Sequence, residues 1–243
     1  MRSIIVEHLV FPNESREYRT ARNALLDAEM ALRRQIEEVA ALRRALPPGG
    51  VLKEDYVFER IGANQRPESV KLSDLFDGMP SIILYSFMYG SERDLPCPGC
   101  THLLDSLDGA ARHVPQRVPF WIVAKSPIAR LVAWARERGW DHLRFLSTAG
   151  NSYAADYFGD TSQLSPAMRA ERGLETAKNW DETMFNVFRR DGNTIRHFWG
   201  SELVFAPEEA GQHHRAGDLV DPLWGLLDMT HEGRGEFFPK LTY

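Results

Sequence analysis

Three things are scarce in this sequence: cysteine, long apolar runs and any excess of basic over acidic residues. Two cysteines, Cys97 and Cys100, cannot build the framework of several disulfides that stabilises small secreted domains. The 29 Lys and Arg residues are outnumbered by 34 Asp and Glu, so a nucleic-acid-binding protein is disfavoured. The longest apolar run, Ile82-Ile83-Leu84-Tyr85, ends at Ser86 and is far shorter than the roughly 20 residues of a membrane-spanning helix.

The N-terminal residues and the composition are typical of a cytoplasmic globular protein. A short apolar run after Arg2 is interrupted by Glu7 and His8, which leaves no signal-peptide core. Hydrophobic residues make up 43 % of the chain, charged residues 26 % and aromatic residues 11 %, and 243 residues suffice for a sizeable core without a metal or disulfides. We therefore expect a cytoplasmic protein that binds neither membrane nor nucleic acid.

A long amphipathic helix is predicted from Asn13, as N-cap, to Leu46, before the helix-breaking segment Pro47-Pro48-Gly49-Gly50. Its apolar residues recur every three or four positions and form one stripe: Tyr18, Ala21, Leu25, Ala28, Leu32, Ile36, Val39, Leu42 and Leu46. Such a helix is about 50 Å long, more than a small domain is wide. The stripe packs either on its own subunit or on a second one, and we expect a homodimer through this helix.

Beyond residue 50 the pattern changes to short strands that alternate with helices, which is typical of a parallel α/β core. The predicted strands are Tyr56–Ile61, Ser81–Met88, Val118–Ala124 and His142–Leu146. The predicted helices are Leu72–Phe76, Thr101–His113 and Ile128–Arg138, the last with Ser126 as N-cap and Pro127 as its first residue.

The later part of the chain is predicted to add an insertion, a hairpin and a C-terminal extension. Residues 150–182 lack periodicity and are interpreted as an insertion with a short helix. Thr183–Arg190 and Thr194–Trp199 flank Asp191-Gly192, a strong hairpin signal. A short helix follows at Pro222–Asp228. We therefore divide the chain into an N-terminal helical extension (1–50), a central domain (51–205) and a C-terminal extension (206–243).

The cysteine pair is the most informative motif. Cys97-Pro98-Gly99-Cys100 lies between a predicted buried strand and a predicted helix. A cysteine at a helix N-terminus is near unpaired backbone amides and the positive end of the helix dipole, both of which favour the thiolate. Cys97 is thus a candidate nucleophile, and Cys100, one turn later, could attack a mixed disulfide formed on Cys97.

Two other interpretations of the pair remain open. A zinc site would need further ligands, for which the candidates are His102, His113 and the His213-His214 pair. An inert structural pair is the other possibility, because a single C-x-x-C is only moderately specific. In either case the chain would be a binding or scaffold protein and not an enzyme.

The sequence also resembles a known family, the thioredoxin-like family catalogued as domain of unknown function 899, whose members are often labelled predicted dithiol-disulfide oxidoreductases. The resemblance extends over almost the whole chain. Its motifs are Arg43-Arg44-Ala45-Leu46-Pro47, Tyr56-Val57-Phe58, Leu72-Ser73-Asp74-Leu75-Phe76, Phe87-Met88-Tyr89-Gly90, Cys97-Pro98-Gly99-Cys100, Ser126-Pro127, Gly139-Trp140, Arg190-Asp191-Gly192, Phe198-Trp199-Gly200-Ser201-Glu202-Leu203, Leu227-Asp228-Met229-Thr230 and Gly233-Arg234-Gly235. It implies a thioredoxin-like fold with a long N-terminal helix and a C-terminal extension, and thiol-disulfide exchange through Cys97 and Cys100 without an organic cofactor.

The motif differs from better-known relatives in ways that affect the expected chemistry. Thioredoxin has Gly-Pro between its cysteines and a buried Asp in the preceding strand, whereas this chain has Pro98-Gly99 and places Tyr85 at the position of that Asp. Where thioredoxin has a cis-proline facing its cysteines, the counterpart here is Thr183-Met184. The peroxiredoxin pattern Pro-x-x-x-Thr-x-x-Cys is missing before Cys97, so thiol peroxidase ranks below disulfide exchange.

Further site candidates come from the strand ends and the C-terminal loops. Thr183 and Trp199 are predicted to line the substrate pocket. His213 and His214 lie in a predicted solvated loop, where a switch or ligand role is the less favoured alternative.

Overall fold

The computed structural model describes residues 9–174 and 180–243. Residues 1–8, on which the signal-peptide argument rests, and residues 175–179 of the predicted insertion lie outside the described residues. The chain divides into two compact units, one ending at Pro47 and the other extending from Pro48 to Tyr243. The predicted division into 1–50, 51–205 and 206–243 stays a prediction.

The first unit contains one long helix, α1 (Arg16–Arg44). The predicted helix is confirmed, but its predicted N-cap is wrong: the cap is Ser15, whose hydroxyl accepts a hydrogen bond from the amide of Tyr18 at 3.0 Å. Asn13 has a φ of 60° and belongs to the turn before the helix. No residue of α1 is buried, and every residue of the predicted apolar stripe is exposed.

The second unit is built on a seven-stranded mixed sheet. Its strands are β1 (Val57–Ile61), β2 (Pro67–Lys71), β3 (Ser81–Ser86), β4 (Phe120–Ala124), β5 (Phe145–Ser147), β6 (Met184–Asp191) and β7 (Thr194–Gly200). Their order across the sheet is β2-β1-β5-β4-β3-β6-β7. Strands β3, β4 and β5 are parallel, and all other pairs are antiparallel. The parallel centre is as predicted. The predicted strand Tyr56–Ile61 is β1, and it pairs antiparallel with β2, a strand that the sequence did not reveal.

Helices connect the strands and cover the sheet. They are α2 (Pro98–Ala110), α3 (Ile128–Arg138), α4 (Tyr153–Asp156), α5 (Pro166–Glu171) and α6 (Pro222–Asp228). Because side chains alternate along β3, Tyr85 packs with α2 and α3 on one face, whereas Ile82 and Leu84 pack with Tyr153 on the other. The sheet therefore has an apolar core on each face.

The helix after the cysteine motif begins earlier than predicted. Cys97 has extended backbone angles, φ −61° and ψ 126°, and its carbonyl accepts the amide of Thr101 at 2.9 Å. It is therefore the N-cap, and Pro98 is the first helical residue, a position where its missing N–H costs nothing. The predicted helix Thr101–His113 is corrected to α2, Pro98–Ala110.

Other predicted boundaries also change. Pro127 is the N-cap of α3 and not its first residue, and Ser126 makes no side-chain cap. The fourth predicted strand, His142–Leu146, begins only at Phe145, because the amides of His142 and Leu143 bind the carboxylate of Asp108. The predicted strand Ser81–Met88 ends at Ser86.

The hairpin and the C-terminal helix agree with prediction. Asp191 pairs with Thr194 across a two-residue turn in which Gly192 has a φ of 57°, a conformation that favours glycine. The helix predicted at Pro222–Asp228 has those bounds in α6. The predicted insertion contains two short helices, α4 and α5, rather than one, within its described part.

Candidate active site

The two cysteines lie at the N-terminus of α2, beside the carboxyl end of β3. The chain leaves β3 at Ser86 and reaches Cys97 through a loop, and the amide of Cys97 donates to the carbonyl of Met88 at 3.0 Å. Both thiols are free; Cys97 is half-buried and Cys100 is buried. The more accessible thiol is therefore that of Cys97, the candidate nucleophile.

The environment separates the acidities of the two thiols. The pKa of Cys97 is lowered to about 6, first by a hydrogen bond with the Cys100 thiol, then by the backbone amides of Cys100 and Gly99 and by the charge of Arg93, against the opposing effect of burial. The pKa of Cys100 is raised well above its ordinary value by that same hydrogen bond, by burial and by the nearby Cys97 charge. Near neutral pH the pair therefore holds a thiolate on Cys97 and a thiol on Cys100.

A buried tyrosine contacts the second cysteine. The hydroxyl of Tyr85 is hydrogen-bonded to the Cys100 thiol, and the hydroxyl of Thr183 donates to the Tyr85 oxygen at 2.9 Å. Burial, followed by the Cys100 charge, raises the pKa of Tyr85 well above its ordinary value, so the phenol stays neutral. Thr183, Tyr85, Cys100 and Cys97 form one hydrogen-bonded chain, which places the predicted Thr183 beside the cysteine pair.

A cavity of about 370 Å³ opens onto the cysteines. One wall is formed by α2, β6 and the segments next to the ends of β3, β6 and β7, and it includes Met88, Leu103, Thr183, Phe185 and Ser201. The C-terminal residues supply the other, which includes His213, His214, Trp224, Arg234 and Phe238. Trp199, predicted to line the pocket, lies on β7 opposite Val187 and is not among the residues that line this cavity.

For His213 and His214 the sequence left two possibilities, a solvated loop or a switch or ligand role, and their positions have features of both. His213 and His214 are exposed, as a solvated loop requires, yet both border the cysteine cavity. His214 is paired with Glu208 at 2.6 Å. The position of the histidines in the cavity wall follows from the path of the C-terminal segment, which has no strong pattern in the sequence.

The loop before Cys97 is held by charged groups that the sequence analysis missed. The buried carboxylate of Asp181 accepts the amide of Gly90 at 2.6 Å and pairs with Arg93 at 3.2 Å and with Lys125 at 2.9 Å. From α3, Arg130 donates to the carbonyls of Gly90, Arg93 and Asp94. These contacts fix the approach to Cys97 and hold Arg93 near it. They join residues about 40 to 90 positions apart, so no local pattern signals them.

A zinc site at the cysteine pair would need further ligands close by, and the described part of the chain has no such cluster. Across residues 9–174 and 180–243, no three His, Cys, Asp or Glu side chains are grouped so that they could hold a metal ion. His102, a candidate ligand, instead pairs with Asp221 at 2.9 Å. Within the same residues, no helix combines the length and apolarity needed to span a membrane.

A larger cavity of about 920 Å³ lies against the other apolar core, where Tyr56, Tyr157 and His197 contribute to its lining. Neither cysteine borders it. Burial lowers the pKa of His197, whose ring stacks on Tyr157. We take the smaller cavity as the candidate active site because it alone, of these two, is lined by the cysteine pair.

The fold and the site together define the class of protein. Strands β4-β3-β6-β7 have the order and directions of the thioredoxin fold, with α2 connecting β3 to the parallel β4 and with the cysteine motif at the start of α2. The chain is a thioredoxin-like α/β protein. It belongs to the family described as bacterial protein of unknown function (DUF899), whose profile matches residues 9–242.

Solved structures with similar folds include several peroxiredoxins. Peroxidoxin BcpB from Mycobacterium tuberculosis is 16 % identical, with a TM-score of 0.40 over 73 % of this chain and 95 % of that one. Thioredoxin peroxidase I from Plasmodium yoelii is 16 % identical, with a TM-score of 0.43 over 79 % and 97 %. The mitochondrial 2-Cys peroxiredoxin from Plasmodium falciparum is 9 % identical, with a TM-score of 0.43 over 76 % and 95 %. A search of curated proteins finds no significant match.

Proposed function

We propose that the protein is a dithiol-disulfide oxidoreductase in which Cys97 attacks and Cys100 resolves. The Cys97 thiolate attacks one sulfur of a substrate disulfide, and the other sulfur leaves as a thiolate that takes up a proton. Cys100 then attacks Cys97 in the mixed disulfide and releases the second substrate thiol. The protein gains the Cys97–Cys100 disulfide, and the two electrons of its dithiol reduce the substrate. The same steps in reverse oxidise a substrate dithiol.

The observation that carries this proposal is that, within one turn of helix, the pKa of Cys97 is lowered and the pKa of Cys100 is raised. A pKa of about 6 makes Cys97 largely thiolate at neutral pH, and thiolate is the reactive form. The raised pKa keeps Cys100 protonated until Cys97 has been consumed. Once Cys97 is bound in a mixed disulfide, its charge no longer opposes ionisation of Cys100.

Tyr85 supports the second step. Its hydroxyl hydrogen bond lowers the pKa of Cys100 against the larger effects of Cys97 and burial. A neutral hydroxyl that donates to sulfur stabilises the Cys100 thiolate during attack, and Thr183 orients that hydroxyl. Tyr85 thus supplies a hydrogen bond at the position where thioredoxin places a carboxylate.

The pH dependence of alkylation tests the proposal. We expect the rate of Cys97 alkylation by iodoacetamide to follow a single pKa near 6 and to level off above about pH 7.5, while Cys100 reacts far more slowly. Mass spectrometry of peptides quenched at intervals measures both rates. Mild oxidation of the native protein should lower its mass by the two hydrogens of one intramolecular disulfide.

Equal alkylation rates, or a Cys97 pKa near 8.5, would contradict the assignment of the nucleophile. The measurement is repeated with a chelator present. A large increase in alkylation on chelation would favour the metal-binding alternative, because a metal-bound thiolate is protected until the metal is removed.

We propose the cytoplasm as the compartment, since free reactive thiols persist in reducing surroundings.

We also propose a homodimer that forms through α1. The helix is about 44 Å long and its apolar stripe is exposed, so burial on a second copy would stabilise the dimer by about 1.5 to 3 kcal/mol for each fully buried large side chain.

Sedimentation equilibrium tests the dimer. We expect twice the chain mass of 27.7 kDa at micromolar concentration, and we expect the double variant Leu32→Glu/Val39→Glu to sediment as a monomer. Glu29→Gln/Glu37→Gln, which changes polar positions of the same helix, is the control and should remain dimeric. A wild-type mass near 27.7 kDa would overturn the dimer, and a dimeric Leu32→Glu/Val39→Glu variant would exclude α1 as the interface.

A further inference from the structure

The C-terminal segment, residues 206–243, covers one side of the cysteine motif. It supplies ten of the twenty residues that line the cysteine cavity. Phe238 lies directly over the motif: a Cβ added at Gly99 would be 3.3 Å from the Phe238 ring and 3.9 Å from the Cys97 sulfur. Phe238 therefore lies on the same side of Gly99 as the Cys97 sulfur, in the wall of the cavity.

Specific contacts hold this segment in place. Asp221, the N-cap of α6, binds His102 of α2 at 2.9 Å, and Arg138 of α3 donates to the carbonyl of Leu241 at 2.7 Å. Between these two anchors, the buried Arg234 binds Asp218 and Asp228. The segment is thus tied to both helices that flank the site, and it forms a built wall of the cavity.

The size and lining of the cavity indicate what it accommodates. A volume of about 370 Å³ is at the low end of the range of pockets for small ligands. Met88, Leu103, Phe185, Val204, Trp224 and Phe238 give it a largely apolar lining. The polar groups at its wall are engaged within the protein: Arg234 pairs with the carboxylates of Asp218 and Asp228, Asp221 contacts His102, and His214 contacts Glu208.

We propose that the disulfide substrate is a low-molecular-weight, uncharged and largely apolar disulfide, and not a protein disulfide. This inference rests on the proposed function. A protein would have to bring a folded surface or an extended chain to Cys97, where the C-terminal wall already lies. The reaction is the exchange given above: the substrate disulfide is reduced to two thiols, and the Cys97–Cys100 disulfide forms.

The test compares disulfides of different size and charge on the reduced full-length protein. The probes are lipoamide, which is small and neutral, glutathione disulfide, which is charged, and insulin, a protein disulfide. Each single-turnover rate is divided by the rate of the same disulfide with free dithiothreitol, which corrects for intrinsic reactivity. We expect the normalised rate for lipoamide to exceed those for the other two at least about tenfold.

Variants of the C-terminal wall test whether the wall limits access of large substrates to Cys97 or whether the thiol chemistry itself sets the rates. Phe238→Ala should raise the normalised rate with insulin several-fold and so narrow its difference from lipoamide. Leu226→Ala changes an exposed residue of the same segment that does not line the cavity, and it should leave the ratio unchanged. A second measurement needs no variant: maleimide should label Cys97 at least about tenfold faster, relative to free cysteine, than 5-kDa polyethylene glycol maleimide does.

The outcomes distinguish this inference from the proposed function. If wild-type protein reduces insulin as fast as lipoamide, or if both maleimides label Cys97 equally well, the inference is wrong while the oxidoreductase function stands. If glutathione disulfide matches lipoamide, the uncharged class is wrong. If no disulfide reacts and no Cys97–Cys100 disulfide forms, the proposed function itself fails.

Discussion

Replacing Cys97 by Ser is expected to lower the rate of disulfide reduction at least about a thousandfold, because a serine hydroxyl stays protonated and the first covalent step is lost. Cys100 cannot substitute for it, because its thiol is buried and burial by itself raises its pKa. Replacing Cys100 by Ser should have a different effect. Cys97 remains a nucleophile, and the mixed disulfide accumulates because no second thiol resolves it.

The two substitutions are matched controls for each other, since each exchanges one sulfur for oxygen at the N-terminus of the same helix. Mass spectrometry after incubation with an excess of disulfide should find one substrate adduct on Cys100→Ser and none on Cys97→Ser. Loss of the Cys97 hydrogen bond should also lower the pKa of Cys100 in the Cys97→Ser variant. An adduct on Cys97→Ser but not on Cys100→Ser would reverse the two roles.

The cysteine motif could be placed from sequence because its determinants are local. A buried strand, a Cys-Pro pair and an amphipathic helix follow one another within about 30 residues, and this order puts Cys97 at a helix N-terminus. Tyr85 could also be found, because side chains alternate along β3 and place it on the α2 face.

Other parts of the site depend on contacts between residues far apart in the chain. Asp181 reaches Gly90 across 91 positions, and Arg138 reaches Leu241 across 103. Neither pair has a periodic or motif signature. Strand β2 was missed because Pro67-Glu68-Ser69-Val70-Lys71 has one buried apolar residue, Val70, so its pairing with β1 and not its own pattern makes it a strand.

Trp199 shows a second reason why a site residue could not be predicted from the sequence. Its position at the end of a strand next to polar residues suggested a pocket, and the structure places it on β7 as expected. The pairing of β6 with β7 is irregular between Val187 and Phe188, at the register of Trp199. A bulge of this kind changes which face a side chain occupies, and the sequence does not signal it.

Asp181→Ala is expected to lower the free energy of unfolding by about 3 to 5 kcal/mol, the usual cost of removing one partner from a buried charged network. The side chain of Asp181 is 7 % exposed and those of Arg93 and Lys125 about 20 %, so Arg93 would lose a carboxylate in a poorly solvated place, while Lys125 keeps its contact with Asp160 at 3.4 Å. The buried amide of Gly90 would lose its acceptor as well. Because folded domains are stable by only about 5 to 15 kcal/mol, this one change should remove a large part of the total.

The change should also affect the active site, because Asp181 joins the loop before Cys97 to the segment before Thr183. Release of Arg93 would remove one of the charges that favour the Cys97 thiolate, so the pKa of Cys97 should rise. Urea unfolding followed by tryptophan fluorescence measures the stability, and the pH profile of alkylation measures the pKa. Glu68→Ala, which breaks the half-buried pair with Arg60 whose side chains are 40 % and 35 % exposed, is the control and should cost about 1 kcal/mol or less. If Asp181→Ala costs no more than Glu68→Ala, the Asp181 network does not stabilise the loop. If the pKa of Cys97 is the same in Asp181→Ala as in the wild type, Asp181 does not hold Arg93 near Cys97.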